Sequence, residues 1–267
     1  MPIEKLIHHT GVIQMKRHTR RLPVFGMTMA ALTLGAAAPA AWAVPFPEAE
    51  LFFELNDTDG DLGIHSSIDG PAWKELTIKD SNKLTILDIE PEGRLARQGL
   101  TQLFIESAEP SFDELAPARF FRRFPEGPYV VRARTLDGGQ LRSTVRLSHV
   151  MAARPGNIVV NGVPSVDCDV APFPTVSAPV LVDWDPVTIS HPEIGRAGPV
   201  EIVRYQFFVE QPGVSAFKVS IDLPPSETRF EIPAAILALS SDFKYEIIAR
   251  TASGNNTAVE ACFTLVR

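Results

Sequence analysis

Residues 129–147 read YVVRARTLDGGQLRSTVRL, and the organisation of the chain follows from this stretch. Two apolar segments, 129–133 and 141–147, flank Asp137-Gly138-Gly139. Asp-Gly and Gly-Gly steps supply the positive φ that tight turns between antiparallel strands require, so the stretch predicts a β-hairpin. Similar short runs precede it. Residues 50–55 are apolar and aromatic, and 56–63 form an acidic turn. Residues 73–78 set Trp, Glu and Thr against Lys, Leu and Ile, the period-two pattern of a half-buried strand. Residues 84–89 alternate in the same way, and 103–105 lie in another short apolar segment.

One helix is expected before the hairpin. Ser111 is placed to cap it, with Glu114 as the reciprocal partner. It would carry Leu115, Phe120 and Phe121 and end before Pro125. About seven strands with one helical connection predict a β-sandwich domain of immunoglobulin-like or related type over 44–150. Residues 151–166 hold Pro155, Gly156, Gly162 and Pro164 and read as a linker, with a short strand at 158–160. Strand patterns return at 180–184, 201–210, 217–223, 228–232, 243–251 and 257–266, so 167–267 forms a second all-β domain.

Within that second domain Trp184, Tyr205, and Leu239 six residues before Tyr245 resemble the landmarks of a fibronectin type III module, as carried by bacterial secreted proteins. The resemblance covers about 167–267. It implies a β-sandwich in which Leu239 and Tyr245 form a corner, with the tyrosine hydroxyl reaching back to backbone. Ser241 and Asp242 stand where the family often has Pro and Gly, and the Trp184 to Tyr205 interval is longer than usual. The insert over 185–199, with three Pro and two Gly, is expected to be a long exposed loop. No Arg-Gly-Asp tripeptide supports integrin-type binding, and the fold argues no function by itself.

Residues 1–43 read as an export signal. A basic stretch, Lys16-Arg17-His18-Thr19-Arg20-Arg21, precedes an apolar run to Ala41, and Ala41-Trp42-Ala43 matches the small-x-small cleavage pattern. The reading takes Met15 as the true start and places cleavage after Ala43. An uncleaved anchor and a twin-arginine route stand as alternatives. Beyond the signal no long apolar run exists, so no membrane insertion is expected after cleavage, and the mature protein is read as secreted or periplasmic. The whole chain carries a net −7, and the part after Ala43 has 20 basic and 31 acidic residues. A surface that acidic repels phosphate backbones, which argues against nucleic acid as a partner. Cys168 and Cys262 are the two cysteines. In an oxidising compartment an even pair reads as a disulfide, with two buried thiols as the alternative.

Asp57, Asp59 and Asp61 alternate in an Asn- and Gly-containing loop. Hard cations take several oxygen ligands, and alternate positions in a tight loop aim carboxylates at one centre. A calcium loop is therefore one reading and a solvated acidic turn the other. Leu62 occupies the sharp-turn glycine position of an EF-hand, and Ile68 sits where its bidentate Glu belongs. No other cofactor is expected. His65, His149 and His191 have no ligand spacing, and the chain has no nucleophile elbow and no phosphate-cradling glycine loop. The sequence thus predicts a noncatalytic exported protein that binds or adheres to an unidentified protein or glycan through loops such as 185–199. A structural or accessory envelope protein, stabilised by calcium, is the alternative.

Overall fold

The computed structural model describes residues 43–212 and 214–266. The expected export signal, apart from Ala43, lies outside the described residues. In chain order the first half contains β1 (Glu48–Asn56), β2 (Asp61–Lys79), β3 (Thr85–Ile89), α1 (Gly93–Gln98), β4 (Leu100–Glu106), α2 (Pro117–Arg123), β5 (Gly127–Thr135) and β6 (Gln140–Leu147). The hairpin read from Asp137-Gly138-Gly139 is β5–β6, with Tyr129 opposite Val145.

β2 is 19 residues long and serves two layers. Its first half, 61–69, runs between β1 and β4; its second half, 73–79, runs between β5 and β3. The change of partner falls at Gly70-Pro71. Pro71 lacks the N–H that a ladder needs, and Gly70 packs closely against Phe46 and Leu141. The two layers enclose a core around Phe53, Leu55, Ile68, Trp73, Leu76 and Tyr129. The sequence signalled only the second half of β2, because 62–68 is buried on both sides at His65 and Ser66 and shows no clean alternation.

The helix differs from expectation in its start. Ser111 makes a backbone turn, its carbonyl accepting from Glu114 and Leu115, but caps nothing. α2 begins at Pro117, whose fixed φ suits a first helical position, with Ala116 as N-cap. Phe120 and Phe121 are buried as read, their rings edge-on to each other and both in contact with Phe53. Tyr129 donates its hydroxyl proton to the Pro125 carbonyl (2.9 Å), fixing the exit of α2 to the start of β5. A second short helix, α1, lies between β3 and β4.

The second half contains β7 (Val150–Ala152), β8 (Gly156–Val160), β9 (Val163–Pro164), β10 (Thr175–Ser177), β11 (Val180–Asp185), β12 (Ser190–Gly195), β13 (Ile202–Gln211), β14 (Val214–Leu223), β15 (Arg229–Ile232), α3 (Ala234–Leu237), β16 (Asp242–Thr251) and β17 (Asn256–Val266). One layer is β14-β13-β16-β17 and the other β15-β11-β8-β9, all neighbours antiparallel. Between them Trp184, Phe207 and Tyr245 stack in series, with centroid spacings of 6.2 and 5.8 Å. The architecture is an all-β sandwich. β8, from the segment read as a linker, adds Ile158 and Val160 to this core.

Two readings in this half are corrected. Leu239 is 43% exposed, and Leu237 fills the core in its place. Pro233 is the N-cap of α3, and the turn that follows aims Leu237 inward. The insert over 185–199 is exposed over most of its length, as read, but it is not all loop, since Ser190–Gly195 form a strand. β12 pairs with β7, Val187 joins the second core and Ile194 the first. A six-residue strand containing Pro192 gave no readable alternation; its partner β7 supplies the order.

The two cores share one sheet. β17 pairs antiparallel with β16 and parallel with β1, Glu54 facing Asn256, so the ladder runs β14-β13-β16-β17-β1-β2. A parallel pair between segments some 202 residues apart leaves no local signal.

Candidate functional site

This shared sheet presents one outward face across both cores. Registers place Phe208, Glu246 and Glu260 in one row, Gln206, Ile248 and Ala258 in the next, and Arg204, Arg250, Asn256 and Glu54 in the one after. On the far side Phe52 faces His65, which faces Glu106, while Ser67 faces Phe104. The face encloses a shallow cavity of about 510 Å³. Phe104, at the edge strand β4, is 62% exposed. Arg250 lies 4.7 Å from the Phe52 ring centroid and bonds Glu50 (2.7 Å); Lys218 lies 5.4 Å from that of Phe208.

Carboxylates crowd the middle of this face. Glu260 bonds Lys244 at 2.5 Å, and Glu54 accepts from the Asn256 amide at 2.7 Å. Burial, then the neighbouring Glu260 and Glu54, push the Glu246 carboxyl up to about 8. Burial, then Glu109 and other acids, push Asp61 up to about 6, and its Oδ1 is buried without a hydrogen-bond partner. His65 is buried and bonded to Glu109 at 2.8 Å. Burial disfavours its charged form, but the Glu109 bond and nearby acids outweigh this and raise its pKa. The Glu109 carboxylate lies where a Cβ on residue 63 would stand, so Gly63 is what admits it.

The three loop aspartates part company. Asp57 binds His191 at 2.8 Å and Arg154 at 3.0 Å, and the His191 hydrogen bond is the main cause of its lowered pKa. Asp59 accepts from the Asn56 side chain at 3.1 Å. Asp61 turns to the sheet face. Among the described residues no three His, Cys, Asp or Glu side chains are grouped to hold a metal. His191 reaches Asp57 from the insert strand β12, so the pair ties that strand to the β1–β2 turn. His149 packs on Phe121, with its Nε2 2.8 Å from the Phe124 carbonyl. Of the residues carried by the resemblance, Trp184, Tyr205 and Tyr245 are buried together, and the Tyr205 hydroxyl accepts from the Val187 N–H at 2.8 Å. Cys168 and Cys262 are joined as a disulfide, Cα atoms 4.9 Å apart. Reading the sequence missed Glu246, Phe208 and Phe104 as a set. Alternation marks each as outward on its own strand, but only strand order makes them neighbours.

No protein-family profile matches this chain, and no curated protein does. Solved structures similar to it include the human OSCAR ligand-binding domain, 12% identical with a TM-score of 0.26, covering 82% of this chain and 99% of that one. A two-domain fibronectin type III segment from chicken tenascin is also 12% identical, with a TM-score of 0.26 and coverage of 81% and 97%. A structure titled for host cell surface retention of a bacterial ice-binding adhesin is 13% identical, with a TM-score of 0.23 and coverage of 83% and 65%. The role of the face is therefore argued from its own chemistry.

That chemistry makes stability fall as pH rises. A carboxyl whose pKa is raised on folding binds more protons folded than unfolded between the two pKa values, so its contribution is lost as pH climbs through that window. For Glu246 the window runs from 4.5 to about 8, and for Asp61 from 3.8 to about 6. His65, also raised, acts in the same direction above 6.5. Asp57 and Glu126, both lowered, act oppositely and only in more acidic solution. Thermal melts should show a midpoint falling from pH 5 to pH 8.5. Glu246→Gln should flatten that fall and stabilise the protein at pH 8.5 by about 1–2 kcal/mol, allowing for solvent screening. A midpoint that rises over this interval would contradict the assignment.

Proposed function

We propose that this chain is a noncatalytic binding or adhesion protein, exported to an oxidising compartment, that contacts protein or glycan through the outer face of its shared sheet. The observation that carries the reading is Phe104, an exposed aromatic on an edge strand beside a carboxylate-lined hollow spanning both cores. Exposed aromatic surface with polar groups around it suits recognition, since the ring gains by desolvation and the polar groups fix orientation. The segment over 185–199 is anchored at Val187 and Ile194 and exposes most of its other residues, so it stands beside the sheet face as a second contact surface. The disulfide supports the compartment.

The test is retention on immobilised glycans and envelope proteins, comparing the wild type with Phe104→Ala. Removal of an exposed aromatic anchor should weaken retention by about tenfold or more. Equal retention of the variant would remove the face from the binding role. Turnover of a glycan or peptide panel that Glu246→Gln abolishes would replace binding with catalysis.

A further inference from the structure

The first sandwich is divided in charge between its two outer faces. On one, β1 contributes Glu48, Glu50 and Glu54, β2 contributes Asp61 and Asp69, and β4 contributes Glu106. These strand segments contain no Lys or Arg, and their one histidine, His65, is committed to Glu109. Arg250, from β16, offsets a single acid, Glu50. The other outer face is formed by β5, β6 and residues 73–79 of β2. It exposes Arg132, Arg134, Arg142, Arg146 and Lys79 against Glu75 and Asp88, and Arg134 is paired with Glu75. Both layers contribute their inner residues to the same core, so the two faces look away from each other across it.

Each face also sets like charges directly opposite one another. Glu48 faces Asp69 on the acidic side, and Arg132 faces Arg142 on the basic side. Such cross-strand pairs are unfavourable in an isolated sheet, and a surface of opposite sign laid over them relieves both. The chain itself carries that opposite surface. A contact between two different patches of identical copies is heterologous, and repeats from copy to copy.

We propose that copies of this chain associate head to tail, the acidic β1–β2–β4 face of one docking on the arginine face of β5–β6 in the next. The inference rests on the outer sheet face being a docking surface and names a second copy as its partner. Because the complementarity is electrostatic, it governs encounter and register and is screened by salt.

The test is sedimentation of the purified full chain at about 0.02 M and about 0.5 M salt, with association weakening at least about tenfold at the higher strength. Arg132→Ser with Arg142→Ser removes the basic partner. Glu48→Gln with Asp69→Asn and Glu106→Gln removes the acidic one. Melting curves of both variants check that they fold. Each variant alone should stay monomeric, and the two mixed should form a one-to-one pair and nothing larger, since each retains one intact face. A monomer at low salt, or assembly that ignores salt and both variants, overturns the proposal. If the chain is monomeric while Phe104-dependent retention persists, self-association is wrong and the binding reading stands. Loss of both ends both.

Discussion

Asn255→Leu is expected to destabilise the protein by about 3–5 kcal/mol, the effect of unpairing two buried backbone groups and a partly buried third at once. Asn255 is fully buried in the turn between β16 and β17. Its Oδ1 accepts from the Phe53 N–H at 3.0 Å, and its Nδ2 donates to the carbonyls of Ser148 (2.8 Å) and Val150 (3.0 Å). Phe53 lies in β1, and Ser148 and Val150 follow β6, so one amide joins the second core to two segments of the first. Leucine has similar bulk and no donor or acceptor, so the Phe53 N–H and the Val150 carbonyl lose their partner in a buried setting, and the Ser148 carbonyl in a partly buried one. Thr257, which donates to the Ala152 carbonyl at 3.0 Å, repeats the tie once, and Thr257→Val should cost only about 1 kcal/mol. Denaturant titration of both variants measures the two effects. A loss under about 1 kcal/mol for Asn255→Leu would mean that the joint is held by the β1–β17 ladder and its other ties, such as Thr257 to Ala152, rather than by Asn255.

Removing the Cys168–Cys262 bridge should cost about 4–5 kcal/mol in the chain-entropy account, because it closes a loop spanning 94 positions. Cys262 lies on β17 opposite Lys244, and its N–H bonds the Val166 carbonyl at 3.3 Å. The bridge therefore pins the stretch leading into β10 onto the edge of the second core, where β10 pairs with β17 at Thr175 and Thr264. Cys168→Ser with Cys262→Ser, or full reduction, should lower the denaturation midpoint by a corresponding amount. Nonreducing peptide mapping should recover the two cysteines in one linked pair. Equal midpoints with and without reductant would show that the bridge adds no stability.

The two effects differ in origin. Asn255 acts on the folded state, where its partners are lost; the disulfide acts mainly on the unfolded chain, whose freedom it limits. Asn255→Leu should therefore cost its share whether or not the bridge is intact.

Along the chain, much of the fold was legible. Asp137-Gly138-Gly139 between two apolar runs specified a hairpin because few residues tolerate the backbone of a tight turn. Phe120 and Phe121 read as buried, and they are. Trp184, Tyr205 and Tyr245 read as landmarks of a sandwich module, and all three are buried in the second core. The segments 201–210 and 243–251 read as strands, and they are β13 and β16.

What the sequence could not order was the neighbourhood of those strands. Phe52, Phe208, Glu246 and Glu260 share a face because β1 adds in parallel to β17, and no local pattern encodes a pairing between the two ends of the folded chain. Asp57 looked like one of three ligands, but β12 brings His191 to it from 134 positions away. Asn255 sits in the short connection between β16 and β17, and three backbone groups from Phe53, Ser148 and Val150 make it a joint. Composition, turns and alternation indicated most of the strands and a cysteine pair fit for a bridge, but not β12 or the first half of β2. Tertiary structure alone decided which charges meet, because electrostatic and hydrogen-bond partners are chosen by distance in space, while sequence records only distance along the chain.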